Sequence, residues 1–219
     1  MRSGDSLRYI VKAIPQSGIP LGGIGAGYFE IRADGEFYEW QIFNNRPWRM
    51  GGAKEELMDQ DDFFFAIRVK AKEENVEEIE YVGEYPLVTL NFKDPSLPIE
   101  VSLTAYSPFI PGDIKNSSLP AAILSFRVKN PSNVEVSLLG ALKNPVGHGV
   151  KGAAKVNKVE KVKGVTRVTM SAKGVPESHI THRGSITLAV MGDDVTYRGL
   201  MEKSIDALRR MWVDLRTGW

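Results

Sequence analysis

Tyr28-Phe29-Glu30-Ile31-Arg32-Ala33-Asp34-Gly35-Glu36-Phe37-Tyr38-Glu39-Trp40-Gln41-Ile42 is the stretch that decides the fold class. Apolar and polar residues alternate on both sides of Asp34-Gly35, and a period of two marks strands that bury one face. The Asp-Gly dipeptide suits the positive backbone angles of a tight hairpin turn. The stretch predicts a β-hairpin, with Phe29 and Ile31 on one face of the first strand and Tyr38, Trp40 and Ile42 on one face of the second.

Further β-type runs follow at Phe63 to Val69, Leu87 to Phe92, Ile99 to Ser107, Ala121 to Val128, Val134 to Leu142, Val165 to Ala172 and Ser185 to Met191. Gly83, Asp94-Pro95, Pro111-Gly112, Asn130-Pro131-Ser132-Asn133 and Gly192-Asp193-Asp194 interrupt the chain before a helix can establish itself. About nine short strands with frequent turns read as an antiparallel β-sandwich. Helical spacing occurs at the end, where Met201, Ile205, Leu208, Trp212 and Leu215 line one stripe of an amphipathic helix. Val156, Val159, Val162, Val165 and Val168 recur every third position, which fits neither period, and Gly164 places a hairpin turn among them. The acidic run Glu73 to Glu80 and the Lys-rich stretch Lys151 to Lys163 carry interleaved Val or Ile and read as solvated hairpin faces. No internal repeat or composition shift marks a boundary, so residues 1–219 read as a single β-sandwich domain.

Composition narrows the function. With 28 Lys and Arg against 27 Asp and Glu, the formal charge of +1 lacks the basic footprint of a nucleic-acid-binding protein. Cysteine is absent, which removes disulfides, thiolate nucleophiles and Cys-based zinc sites and suits a reducing compartment. Met1 to Lys12 has no apolar core of a signal peptide, and no stretch approaches the about 20 apolar residues that span a bilayer. The expectation is a soluble cytoplasmic protein.

Gly22-Gly23-Ile24-Gly25-Ala26-Gly27 invites a nucleotide reading, but counting from Gly23 the third required glycine falls on Tyr28, and a hairpin follows instead of a helix. A tight backbone passage is the plainer reading. His179 and His182 stand three apart with no convincingly spaced third ligand, Asp193-Asp194 being too remote, so no metal is expected. His148 reads as a loop residue, and no Gly-x-Ser-x-Gly elbow supports a triad. Glu30, Glu36, Glu39, Glu78, Glu80 and Glu100 alternate with apolar residues as on an outward face, and Asp61-Asp62 is the concentrated acidic pair outside the charged runs. Trp40, Gln41, Asn44, Asn45, Arg46 and Trp48 set aromatic plates beside amides and a guanidinium, which is what a sugar surface wants: ring faces stack while hydroxyls are hydrogen-bonded. The candidate substrate-binding residues are Trp40, Asn44, Asn45, Arg46 and Trp48, although Trp40 also alternates as a core residue.

Gly18-Ile19-Pro20-Leu21-Gly22-Gly23-Ile24-Gly25, followed by Phe37-Tyr38-Glu39-Trp40-Gln41, resembles the opening of glycoside hydrolase family 116, the β-glucosidases and non-lysosomal glucosylceramidases. The block from Ser107 to Pro120, ending in Ser117-Ser118-Leu119-Pro120, resembles that family's proline-bounded loop. The resemblance covers roughly Gly18 to Asn144 well and the rest loosely. It implies an N-terminal β-sandwich whose companion is a catalytic barrel of paired helices carrying a Glu nucleophile and an Asp acid/base. Nothing here matches those catalytic motifs. It therefore implies a fragment with no catalytic residue and no cofactor, which braces the helical domain and lines its substrate rim. The partners implied are that helical domain or subunit, a β-glucoside or glycolipid substrate, and a second copy in a homo-oligomer. A stand-alone carbohydrate-binding sandwich is the alternative.

Overall fold

The computed structural model describes residues 7–10, 16–45, 57–69, 76–192, 194–199 and 213–216. In chain order its elements are β1 Leu7–Ile10, β2 Ile19–Leu21, β3 Tyr28–Ile31, β4 Phe37–Gln41, β5 Phe63–Val69, β6 Glu78–Glu84, β7 Leu87–Lys93, β8 Glu100–Tyr106, the one-turn helix α1 Ile114–Ser117, β9 Ile123–Lys129, β10 Val136–Leu142, β11 Ala154–Val162, β12 Val165–Lys173, β13 Ile186–Met191 and β14 Val213–Asp214. Every pairing is antiparallel. Each strand that alternation places between residues 63 and 191 is present, within a residue or two at its ends. The terminal stripe from Met201 to Trp212 lies outside the described residues; at its end Val213–Asp214 is strand and the buried Leu215 follows it, so the expected helix does not extend to Leu215. Among the described residues no helix is long and apolar enough to cross a membrane.

The main core is a sandwich. A five-stranded sheet in the order β1-β6-β7-β8-β9 faces two three-stranded sheets, β2-β3-β4 and β10-β5-β14. Alternation drives it: Ile79 and Tyr81, Val88 and Leu90, Val101 and Leu103 point inward while Glu80, Asn91 and Ser102 line the outer face. The facing layer contributes Leu21, Ile31, Phe37, Trp40, Phe63 and Ile67. Each such side chain stabilises the fold by about 1.5–3 kcal/mol on burial. Phe65 of β5 meets Phe126 of β9 at 4.6 Å between ring centroids, and Phe37 meets Phe63 at 4.5 Å.

The deciding hairpin forms, with two differences from the simple alternation. The turn has three residues, Ala33, Asp34 and Gly35, with Gly35 alone at positive φ (80°), the geometry of a type I turn closed by a left-handed glycine. Glu39 also has positive φ (52°), and the register shifts between Tyr28 and Glu30. This bulge turns Phe37 and Trp40 inward together, so Tyr38 does not share the face of Trp40.

The third three-stranded sheet, β11-β12-β13, contributes nothing to that core cluster and buries Thr166, Val168 and Met170 of its central strand. The β11–β12 hairpin turns on Lys163 (φ 49°) and Gly164 (φ 79°), as the valine-rich stretch predicts. Asn144 fastens this sheet to the end of β10, its amide donating to Asn157 Oδ1 and the Ser171 carbonyl, both at 3.0 Å.

Candidate functional site

Two turns build the site. After β2 the chain folds over itself, Ala26 N–H donating to the Gly23 carbonyl at 3.0 Å. Gly23 lies against the loop before β9, where a Cβ would stand 2.3 Å from the Leu119 carbonyl oxygen. Gly27, at φ 92°, leaves only 2.3 Å between a would-be Cβ and the Gln41 carbonyl oxygen. The Gly22 N–H donates to the buried Ser107 hydroxyl at 2.6 Å, and the Ile24 N–H to the Ser117 carbonyl at 2.8 Å. The glycine-rich opening and the Ser107–Pro120 loop, far apart in sequence, are thus one packed unit, and the run is the tight backbone passage its composition predicts.

The second turn ends β4. Asn45 N–H donates to the Ile42 carbonyl at 3.1 Å, and both intervening residues, Phe43 (φ 54°) and Asn44 (φ 57°), are left-handed. Asparagine tolerates that region; phenylalanine does so only under constraint. Here the Phe43 ring lies over Gly184, where a Cβ would meet it at 2.6 Å. Asn45 is buried and its amide donates to the Trp40 carbonyl at 2.8 Å, so Asn44 is left projecting into solvent.

Between the two turns lies a depression of about 550 Å³ lined by Gly23, Gly25, Ala26, Gly27, Tyr28, Gln41, Phe43, Asn44 and Asn45. The structure thus brings together Asn44 and Asn45 of the residues selected from sequence; Arg46 and Trp48 lie outside the described residues. Trp40 is corrected to the core: it is 5% exposed, its indole stacked on Phe29 at 4.5 Å, with no face left for a ligand. Sequence reasoning missed Tyr28, Phe43 and the glycine turn as neighbours of the asparagines. Gln41 is 9% exposed and, among the described residues, its Nε2 meets no acceptor. A buried donor left unpaired costs about 1–3 kcal/mol.

Among the described residues no acid lines this depression. Tyr38 Oη stands 2.7 Å from Asp34 Oδ2 and 2.8 Å from Glu36 Oε2. One hydroxyl proton faces both carboxylates. Burial raises the Glu36 pKa above its ordinary value, and burial together with the two acids raises that of the Tyr38 phenol. Arg216 reaches Glu36 Oε1 at 3.3 Å and Asp61 Oδ1 at 3.1 Å, tying the segment after β14 to the hairpin. Glu30, Glu36 and Glu39 are therefore not a simple solvated face, since Arg32 also pairs with Glu30 and Glu39. Asp62 is spent on Lys143 at 2.9 Å. The histidine rings hold their own loop: His179 Nδ1 bonds Thr181 Oγ1 and His182 Nδ1 the Val175 carbonyl, both at 2.9 Å. Among the described residues no group of three or more His, Cys, Asp or Glu could hold a metal ion.

The fold is an antiparallel β-sandwich domain with a hollow at one end whose described lining is polar and uncharged. Residues 18–218 match the family described as beta-glucosidase 2, glycosyl-hydrolase family 116 N-term. The chain belongs to that family: it is an N-terminal domain of the family 116 β-glucosidase type. No curated protein matches the chain.

Proposed function

We propose that the chain is the non-catalytic N-terminal domain of a retaining β-glucosidase or glucosylceramidase-like hydrolase, bracing a helical catalytic domain and lining part of its substrate rim. One observation carries this reading: the end of the sandwich built from the two family blocks is exposed and apolar. Ile24, Tyr85, Phe109, Ile110, Ile114 and Leu119 all lie open there, Tyr85 at 55% and Ile114 at 77% exposure. Tyr85 and Phe109 touch edge to face at 5.8 Å, and Ile24 is tied to α1 through its hydrogen bond to Ser117. Contiguous apolar surface of this kind marks a surface that another body covers.

The chemistry of the whole enzyme would be hydrolysis through a glucosyl-enzyme intermediate, which needs two carboxyl groups about 5 Å apart across the sugar. Among the described residues the acids that converge on the hairpin, Asp34 and Glu36, are committed to Tyr38 and Arg216, and no carboxylate lines the depression. Both acids therefore belong to the helical domain on this reading, and the substrate is a soluble β-glucoside or a glycolipid. The lack of cysteine suits a cytoplasmic location. Aryl β-glucoside hydrolysis by the purified 219 residues, abolished by replacing one of their own carboxylates, overturns the non-catalytic role; no turnover alone, with turnover restored by the helical domain, upholds it. A second copy covering the same apolar end is the competing outcome and registers as a dimer in sedimentation.

The stand-alone carbohydrate-binding reading draws on the hollow itself, where amides stand beside aromatic rings. It is favoured if sugar binding occurs and no helical partner associates.

A further inference from the structure

The sheet β11-β12-β13 stands outside the main core cluster, and its outer strands are β11 and β13. An edge strand offers unpaired N–H and C=O groups to any second chain, and proteins blunt such edges with charge, proline or a bulge. Most of the described edges are blunted in that way. Arg8 stands in β1, Pro20 in β2, Glu39 in β4, Lys129 in β9, Lys158 in β11 and Asp214 in β14. Strand β13 is not. From Ser185 to Gly192 the run Ser-Ile-Thr-Leu-Ala-Val-Met-Gly holds neither charge nor proline, and short uncharged segments of this β-prone composition are the ones that pair with their own kind. Strand β10 is uncharged too, but Gly140 interrupts it, and Val136 and Leu142 pack against the core.

The strand is also held ready. In register with β12, Ile186 lies opposite Met170 and Leu188 opposite Val168, both buried, so one face of β13 is anchored. On the other face the Thr187 hydroxyl donates to Thr169 Oγ1 at 3.2 Å. Val190 is 36% and Met191 79% exposed, and Thr187 and Ala189 are exposed as well. The chain then crosses to the far side of the sheet, where the Val195 carbonyl and the Tyr197 hydroxyl accept from Lys161 and Asn157 of β11. Among the described residues no strand pairs with the outer edge of β13.

We propose that β13 pairs antiparallel with β13 of a second copy of this chain, joining two three-stranded sheets into one of six strands about a twofold axis. This pairing goes beyond the bracing role and does not depend on it. A twofold axis normal to the joined sheet sets Leu188 or Ala189 against its own copy. Every pair so formed is apolar, or threonine with an apolar residue, and no like charges are opposed. The same operation on β11 sets Lys158 against itself, which repels. The joined sheet therefore ends on both sides at a lysine-bearing β11, and pairing stops at two copies. A strand of 6 residues a side buries less than a standing interface of about 1,200–2,000 Å², so the dimer is a weak one.

The test is sedimentation of the full 219-residue chain from about 10 μM to about 1 mM, the range that suits a small interface. A reversible monomer–dimer equilibrium with nothing larger is expected. Ala189→Lys puts a charge at an exposed site on the edge; it is expected to weaken the dimer at least about tenfold and to leave Tm unchanged. The chain has no cysteine, so single cysteines report position directly. Leu188→Cys or Ala189→Cys is expected to give a disulfide-linked dimer under mild oxidation, and Val159→Cys, on the exposed β11, to stay monomeric. A chain monomeric throughout the range, open-ended assembly, or equal cross-linking at Val159 overturns the proposal. A dimer unchanged by Ala189→Lys overturns it too, and loss of that dimer in Ile110→Asp with Ile114→Asp would move the contact to the apolar end.

Discussion

A methyl group at Gly23 would stand 2.3 Å from the Leu119 carbonyl oxygen and 2.7 Å from the Ser118 carbonyl carbon, whereas at Gly25 it meets nothing within 4 Å. Gly25 holds a φ of 72°, so Gly25→Ala bears only the left-handed cost of about 1–2 kcal/mol. Gly23→Ala forces two backbones apart and is expected to cost about 3 kcal/mol. Thermal unfolding of the two variants should separate them in that order. Glu36 gives a pH prediction. Its pKa is raised in the folded chain, so between the ordinary value and the raised one the native state holds more protons than the unfolded state. Stability from this group is therefore greatest at low pH and falls as pH rises through the raised value. Glu36→Gln should flatten the slope of Tm against pH above about pH 4.5, and an unchanged slope would remove Glu36 as its source. Glycine crowding was legible from composition, whereas the inward side of Trp40 is set by the bulge at Glu39 and not by alternation with Tyr38. Phe43 was not legible, because a bulky residue at positive φ is set by the space above Gly184 and leaves no local signal.

The Ser107–Pro120 loop is strapped to the glycine turn by two hydrogen bonds, one through a side chain. Ser107→Ala leaves the Gly22 N–H without its 2.6 Å acceptor, and a loss of about 1–3 kcal/mol is expected in urea unfolding. Thr104→Ala, on the outer face of the same strand β8, should change stability by less than about 0.5 kcal/mol. Strands with one buried face were readable because their period of two is clean, as in Leu87 to Lys93. Strand β6 was hidden inside the acidic run: Glu78 and Glu80 face outward toward Lys93 while Ile79 and Tyr81 fill the core, so charge masked an ordinary alternation. The valines three apart resolve similarly. Successive members fall on opposite faces of β11, an edge strand exposed on both sides, and Val159 and Val162 oppose Val168 and Val165 across the hairpin. Strand β2 carries Pro20, and β14 is two residues long, too short for any period to show.

At the scale of the molecule, the sandwich leaves its polar and apolar surfaces in different places. The outer face of the five-stranded sheet carries a row of opposed charges, Glu78 with Lys93 and Glu100 with Lys129, which keeps that face in water. The end formed by the two family blocks carries exposed isoleucines instead, on a loop whose backbone is fixed by Ser117 bonding Ile110 and by Asp113 capping α1. Fixed backbone with free apolar side chains means that those side chains contribute little to the fold itself. Ile110→Asp with Ile114→Asp is therefore expected to shift the unfolding free energy of the isolated chain by less than about 0.5 kcal/mol per site. The same double variant removes apolar surface at the centre of the proposed contact, where a few residues carry most of the binding energy. Association with the helical catalytic domain, followed by calorimetry, should weaken at least a hundredfold, about 2.8 kcal/mol at 1.4 kcal/mol per decade. Destabilisation of the isolated chain without loss of association would assign these isoleucines to the sandwich and move the docking face elsewhere. Retained stability with lost association would place the contact on the end formed by the glycine-rich opening and the Ser107–Pro120 loop.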